Sequence, residues 1–131
     1  MSEASARPRV LISDDEPVLV ALVERLIQRE FDVVVSTSGE CALSRFARVE
    51  RFDVVLCDLM MPETTGMEVH ERVRAEHPEL LPRIVFMTGG AVSADARAFL
   101  ARFDPPRLDK PFTAAELRAA LRRAIEPPQP A

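Results

Sequence analysis

The sequence predicts one α/β domain built on a five-stranded, doubly wound parallel sheet. Four short apolar runs rich in β-branched residues do not alternate with polar residues, which is typical of strands buried on both faces. Segments in which apolar residues recur at helical spacing separate these runs. The chain has 131 residues, which suits one domain better than two. Together these observations indicate five alternating strands and helices, (βα)5.

The strands are predicted at residues 10–12, 33–35, 54–57 and 84–87, with a short fifth strand at 107–108. Each strand but the last is followed by a connection long enough for the right-handed crossover that parallel neighbours need. For such a chain we expect the strand order 2-1-3-4-5, which is that of flavodoxin-like proteins.

Five helices are predicted, over residues 17–29, 39–50, 67–78, 94–102 and 113–125. Pro17 suits the first turn of the first helix, where a missing N–H costs nothing. Thr113 and Glu116 have the spacing of a capping box at the start of the last helix.

Composition narrows the function classes. The chain carries 17 Lys and Arg against 21 Asp and Glu residues, a formal net charge of −4, so direct nucleic-acid binding is not expected. No apolar run approaches the ~20 residues of a membrane span, and the first residues lack the apolar core of an export signal, so a cytoplasmic location is expected. We expect residues 1–8 to form a disordered leader, 9–126 the domain and 127–131 a Pro-rich tail.

Polar residues follow the predicted strands where each one ends. Asp14 and Asp15 follow the first strand, and Asp58 follows the third. Thr88 follows the fourth strand, and Lys110 follows the fifth. Open α/β sheets bind ligands beyond the carboxyl ends of their strands, near the point where the strand order reverses. We therefore expect these five side chains to converge on one crevice.

The residue types indicate phosphoryl-transfer chemistry. Clustered carboxylates raise one another's pKa unless a cation compensates them, and all-oxygen ligands suit Mg²⁺. A carboxylate can attack phosphorus to form an acyl phosphate, whose oxygens then need a metal and fixed donors. Asp58 after the central strand is the predicted nucleophile, and Lys110 and Thr88 are the predicted donors. Asp15 has an alternative interpretation as the N-cap of the first helix.

These motifs resemble those of receiver domains of two-component response regulators, over about residues 9–125. The resemblance rests on an acidic pair, a loop with a later glycine, a hydroxyl followed by a small residue, and a lysine before proline: Asp14-Asp15, Asp58-Leu59-Met60-Met61-Pro62 with Gly66, Met87-Thr88-Gly89 and Lys110-Pro111-Phe112.

The resemblance implies that Asp58 accepts the phosphoryl group in a signalling domain that is not itself an enzyme. It implies that Mg²⁺ is held by Asp15, Asp58 and the backbone carbonyl of Met60, with Asp14 acting through water. It also implies a cis peptide bond between Lys110 and Pro111. The implied partners are a histidine kinase as phosphoryl donor and a downstream phosphotransfer or effector protein.

Two alternatives to an independent phosphorylated switch or relay stay open. One is a pseudo-receiver that acts only as a protein-interaction module, and the other is the C-terminal segment of a hybrid histidine kinase. Arg107 stands where the family usually has an aromatic residue that moves on phosphorylation, so we expect its side chain to stay at the surface beside Asp104 or Asp109. His70 and His77 are expected to be surface residues.

Overall fold

The computed structural model describes residues 7–48, 50–90 and 92–125. The predicted tail and the first six residues of the predicted leader lie outside these ranges. The guanidinium of Arg7 lies 2.8 Å from the Asp32 carboxylate, and the carbonyl of Pro8 accepts the Asp32 N–H at 2.8 Å. Arg7 and Pro8 therefore contact the start of the second strand.

Five parallel strands form one sheet in the order 2-1-3-4-5, so the predicted fold class is confirmed. The strands are β1 (Arg9–Ser13), β2 (Asp32–Ser36), β3 (Val54–Asp58), β4 (Ile84–Thr88) and β5 (Arg107–Asp109). Every residue of β3 and β4 is buried, whereas β5 buries only its central residue. The runs that lack polar alternation are thus the strands covered on both faces, as expected.

In the described part of the chain, five α-helices connect and follow the strands: α1 (Pro17–Ile27), α2 (Gly39–Ala47), α3 (Gly66–Glu76), α4 (Ala94–Phe103) and α5 (Ala114–Ile125). A 3₁₀ helix over Pro78–Arg83, which the sequence did not predict, joins α3 to β4. Its two prolines, Pro78 and Pro82, cannot donate backbone hydrogen bonds, so the α-helix ends before them. None of the described helices is long and apolar enough to cross a membrane.

The capping box predicted at the last helix is confirmed. The Glu116 N–H donates to Thr113 Oγ1 at 3.0 Å, and the Thr113 N–H donates to the Glu116 carboxylate at 2.8 Å. These bonds satisfy two N–H groups that the first turn of a helix leaves unpaired. They fix the start of α5 shortly after Lys110, which stands at the end of β5.

Helices cover the two faces of the sheet with different side chains. On one face α1 and α5 pack with aliphatic residues such as Val23 and Leu117. On the other face α3 and α4 contribute an aromatic group in which the His70 ring lies 4.9 Å from Phe99 and 4.7 Å from Phe103, between centroids. His70 is buried, so its predicted surface position is wrong. His70 shares the helical spacing of the other buried residues of α3, Gly66, Val69 and Val73, and so lies on the inner side of this helix.

Candidate functional site

At the carboxyl ends of β1, β3 and β5, the side chain of a lysine lies between those of two aspartates. Lys110 Nζ lies 3.2 Å from Asp14 Oδ2 and 3.5 Å from Asp58 Oδ1. It also lies 3.8 Å from the carboxylate of Glu16. Asp14 is fully buried and Asp58 is nearly so. The backbone N–H of Asp14 donates to the carbonyl of Ser36, which holds Asp14 at the end of the sheet. The ammonium group thus partly compensates two carboxylates that burial would otherwise disfavour.

Asp14, Asp15 and Asp58 each offer a carboxylate oxygen within 4.8 Å of the others. All three donors are hard oxygens, and one of the three residues is exposed, so the cluster fits a hydrated divalent cation such as Mg²⁺. The alternative role of Asp15 as a helix cap is wrong. Glu16 holds the N-cap position of α1 without a side-chain cap, and the Glu16 N–H donates to Asp14 Oδ1 at 2.9 Å.

The charges in the crevice act on one another. Burial raises the pKa of Asp58 and the neighbouring Asp14 carboxylate raises it further, against the opposing effects of Lys110 and the Met60 N–H. Burial lowers the pKa of Lys110, but the carboxylates of Asp58 and Asp14 outweigh it, so the net change raises that pKa. The lysine therefore carries its charge at neutral pH, and the two acids repel each other unless a further cation joins them.

Cys57, the residue before Asp58, is a packing side chain. It is fully buried, and burial first, then the charges of Asp58 and Asp14, raise the pKa of its thiol far above the ordinary value. A thiol in such surroundings is not a nucleophile, because only the thiolate is reactive. Cys57 and Cys41 are both free, as expected.

The loop after Asp58 turns sharply against the end of β3. A side chain at Gly66 would place its Cβ 2.8 Å from the Asp58 carbonyl oxygen and 2.8 Å from Leu59 Cα, so only glycine fits there. Glu63 takes a left-handed backbone conformation with φ of 66°. The role of the Met60 carbonyl as a metal ligand stays a prediction.

Thr88 has a partner that the sequence did not predict. Its hydroxyl donates to Asp109 Oδ1 at 2.6 Å. The two residues are directly paired between β4 and β5. A carboxylate immediately before Lys110 was the available signal, but only the register of the sheet shows that it faces Thr88.

The segment around β5 holds Lys110 and Arg107 in different directions. The Lys110–Pro111 peptide bond is cis, as the resemblance implied, and the Lys110 N–H donates to the Thr88 carbonyl at 2.6 Å. Arg107 is exposed, and its guanidinium lies 2.8 Å from the Asp104 carboxylate. In this structure Arg107 therefore lies at the surface as predicted, and Asp104 is the partner it contacts of the two that were expected. That Arg107 stays there when Asp58 is phosphorylated remains a prediction.

Comparison with known proteins places most of the chain in one family. The family described as response regulator receiver domain matches residues 10–122. The probable transcriptional regulatory protein TcrX of Mycobacterium tuberculosis is 34% identical over 94% of this chain and 54% of its own length. The sensor protein GacS of Pseudomonas syringae is also 34% identical, over 87% of this chain but 13% of its own length.

Solved structures show the same fold. A response regulator receiver domain protein from Clostridium thermocellum is 25% identical with a TM-score of 0.76, covering 90% of this chain and 94% of its own. A CheY-like receiver from Methanospirillum hungatei, at 20% identity and a TM-score of 0.78, covers 91% of this chain and 94% of its own. Curated relatives are longer, since the chain spans 54% and 44% of two mycobacterial regulators.

Proposed function

The chain belongs to the response regulator receiver family, and we propose that it takes a phosphoryl group from a histidine kinase onto Asp58 in a Mg²⁺-dependent reaction. The observation that carries the proposal is the contact of one half-buried lysine with two aspartates, beside a cluster of three carboxylates. We propose that the domain acts as a switch or relay in two-component signalling, with a histidine kinase as donor, a phosphotransfer or effector protein downstream, and a location in the cytoplasm.

Asp58 is the proposed nucleophile because its carboxylate stands at the end of the central strand, within reach of Lys110. One of its oxygens forms the new bond to phosphorus while the bond from phosphorus to the donor nitrogen breaks, and the histidine leaves with that electron pair. Asp58 is partly accessible at 8% relative exposure, which leaves a route for a phosphohistidine at the protein surface.

Two donors of this chain serve the transferred group. Lys110 presents its ammonium to one phosphoryl oxygen, and the Thr88 hydroxyl, which donates to Asp109 in this structure, turns to donate to another. A bound Mg²⁺, held by Asp15, Asp58 and the Met60 carbonyl with Asp14 acting through water, would supply positive charge to the remaining oxygen. Such donors stabilise charge that spreads over the three oxygens during transfer.

Phosphorylation with a small-molecule donor tests the proposal. We expect acetyl phosphate and Mg²⁺ to add one phosphoryl group, which mass spectrometry of peptides maps to Asp58. Asp58→Asn should abolish the modification, and Asp15→Asn should weaken it through lost metal affinity. Asp32→Asn, which removes a carboxylate that pairs with Arg7, is the matched control and should behave like the wild type. Equal labelling of Asp58→Asn would contradict the assignment.

A second candidate is the receiver segment of a hybrid histidine kinase. The match to GacS, and one to the hybrid signal transduction histidine kinase H of Dictyostelium discoideum at 27% identity over 88% of this chain, favour it. The phosphoacceptor chemistry is the same in both candidates. The native gene distinguishes them, because a kinase core encoded upstream in the same reading frame supports the hybrid, and its absence supports a separate receiver.

A further inference from the structure

Thr88 and Asp109 lie opposite each other at the carboxyl ends of β4 and β5. Their positions are directly paired in the parallel register. Thr88 Oγ1 donates to Asp109 Oδ1 at 2.6 Å, a length typical of hydroxyl bonds to an ionised carboxylate. Thr88 is buried at 7% relative exposure, whereas Asp109 is exposed. The donor hydroxyl of this bond therefore lies in the buried site, and the acceptor carboxylate lies at the exposed edge of the sheet.

The hydroxyl has a single proton, so it cannot serve two acceptors at once. The proposed reaction uses this proton for an oxygen of the phosphoryl group on Asp58. Among the residues that the structure describes, the Asp58 carboxylate accepts from Lys110, while the Thr88 hydroxyl donates to Asp109. The bond to Asp109 must therefore break before Thr88 can contact the phosphoryl group.

The neighbouring cations leave Asp109 available to Thr88. Arg107, two residues earlier on β5, forms its ion pair with Asp104 at 2.8 Å. Lys110, the next residue, directs its ammonium to Asp14 and Asp58. Among the residues that the structure describes, no cation lies within ion-pair distance of the Asp109 carboxylate. An uncompensated carboxylate is a strong acceptor for a hydroxyl.

We propose that Asp109 is a positioning residue that holds the Thr88 hydroxyl away from Asp58 in the unphosphorylated domain. This inference rests on the proposed function of Asp58. Because the bond exists only in the unphosphorylated state, it stabilises that state and weakens the binding of a phosphoryl group or its mimic. Removing the carboxylate should favour the phosphorylated form, although Asp109 touches neither the phosphoryl group nor the metal.

The first test uses the free protein without Mg²⁺ or a phosphoryl mimic. NMR couplings to the Thr88 methyl carbon report the χ1 rotamer, and the wild type should show one rotamer. Asp109→Ala should average it over several rotamers, and Asp109→Asn should have an intermediate effect because a neutral acceptor binds the hydroxyl more weakly. An unchanged single rotamer in Asp109→Ala would overturn the proposal, whatever the result of phosphorylation.

The second test measures the affinity for beryllofluoride, which mimics a phosphoryl group on Asp58. We expect Asp109→Ala to tighten binding about fivefold, which is less than a fully buried charged bond would give, since Asp109 is exposed. In a Thr88→Val background the same substitution should change the affinity by less than about twofold, because the hydroxyl is already missing. Asp95→Asn removes an exposed carboxylate of α4 and controls for net charge, while it leaves the ion pair between Arg107 and Asp104 intact.

Each outcome has one interpretation. A fivefold effect that persists with Thr88→Val, or that Asp95→Asn reproduces, shows a simple charge effect and overturns the proposal. A wild type that binds no beryllofluoride overturns the proposed function of Asp58, and the rotamer test on the free protein still decides the role of Asp109. Averaged rotamers together with a hydroxyl-dependent gain in affinity support the proposal.

Discussion

The centre and the edge of the sheet are built differently. At the centre, all five residues of β3 are buried, and its last residue is Asp58. At the edge, β5 has three residues, of which Leu108 is buried and both neighbours are exposed. The centre therefore holds the proposed phosphoacceptor in a fixed frame, and the edge contributes Lys110 to the site while leaving Arg107 and Asp109 in contact with solvent.

This difference distinguishes residues that are held rigidly for the proposed phosphoryl transfer from residues that can move in response to it. Residues at the centre have little freedom, because a close-packed core transmits any displacement to its neighbours. Residues at the edge can change partners at small cost, since their hydrogen bonds and ion pairs are partly hydrated. We infer that the phosphoacceptor chemistry depends on the ends of β1 and β3 together with Lys110, and that the response to it depends on the contacts of Thr88, Arg107 and Asp109.

The largest expected contrast is in stability. Leu56→Ala at the centre should cost about 3–4 kcal/mol of unfolding free energy, because it leaves a cavity in a fully buried strand. Leu108→Ala at the edge should cost about 2 kcal/mol, since a short strand with exposed neighbours can relax around the smaller side chain. Urea unfolding at pH 7 measures both values. Equal losses would show that the edge is packed as rigidly as the centre.

The next contrast concerns the carboxylate cluster at the centre. Without Mg²⁺, Asp58→Asn should raise the unfolding free energy by about 1 kcal/mol, because it removes the repulsion with the buried Asp14. Saturating Mg²⁺ at ~100 times its Kd should stabilise the wild type by about 2.7 kcal/mol and Asp58→Asn by less.

Thermal unfolding of the wild type and Asp58→Asn, each with and without Mg²⁺, measures these two differences in stability. Asp104→Asn, which removes an exposed carboxylate at the edge, is the control and should shift stability by less than about 0.5 kcal/mol under either condition. If Mg²⁺ stabilises Asp58→Asn as much as the wild type, the metal binds elsewhere.

Local patterns predicted the centre better than the edge. The buried runs and the polar residues at their ends are visible in the sequence, so the strand order and the convergence of Asp14, Asp58 and Lys110 follow from one rule about parallel sheets. The role of Asp109 depends on the β4–β5 register, which joins residues distant in the chain. The burial of His70 depends in the same way on α4, whose two phenylalanines cover it.

The packing of His70 between α3, β4 and α4 affects stability in acid. Burial lowers the pKa of His70, and Arg74 on the same helix lowers it further against the opposing charge of Glu71. The groups that face it from β4 and α4 are the rings of Phe86 and Phe99, with Phe103 beside them. A lowered pKa means that the unfolded chain binds the proton first, so stability should fall as the pH drops below about 6.5.

Urea unfolding between about pH 7.5 and pH 5 measures this loss. His70→Phe should lose less stability over this range than the wild type, because the group that takes up the proton is gone. His77→Asn, at the end of α3, is the control and should follow the wild type. The same acid loss in His70→Phe would show that a group other than His70 causes it. Asp58 would not be that group, because its raised pKa makes the folded state gain stability as the pH falls.

The smallest expected effect on stability, and the sharpest test of the readout, is at Arg107. Arg107→Ala should change the unfolding free energy by less than about 0.5 kcal/mol, because the ion pair with Asp104 is exposed.

Burying the unpaired guanidinium instead would cost several kcal/mol, so Arg107 should stay at the surface when beryllofluoride binds. The changes in amide NMR chemical shift that beryllofluoride causes over residues 94–125, except at Asp109 and Lys110, should therefore be smaller than the changes beside Asp58. Arg107→Phe, which can be buried, should enlarge them. Large shifts or dimerisation across residues 94–125 in the wild type would show that the edge responds without an aromatic residue at position 107.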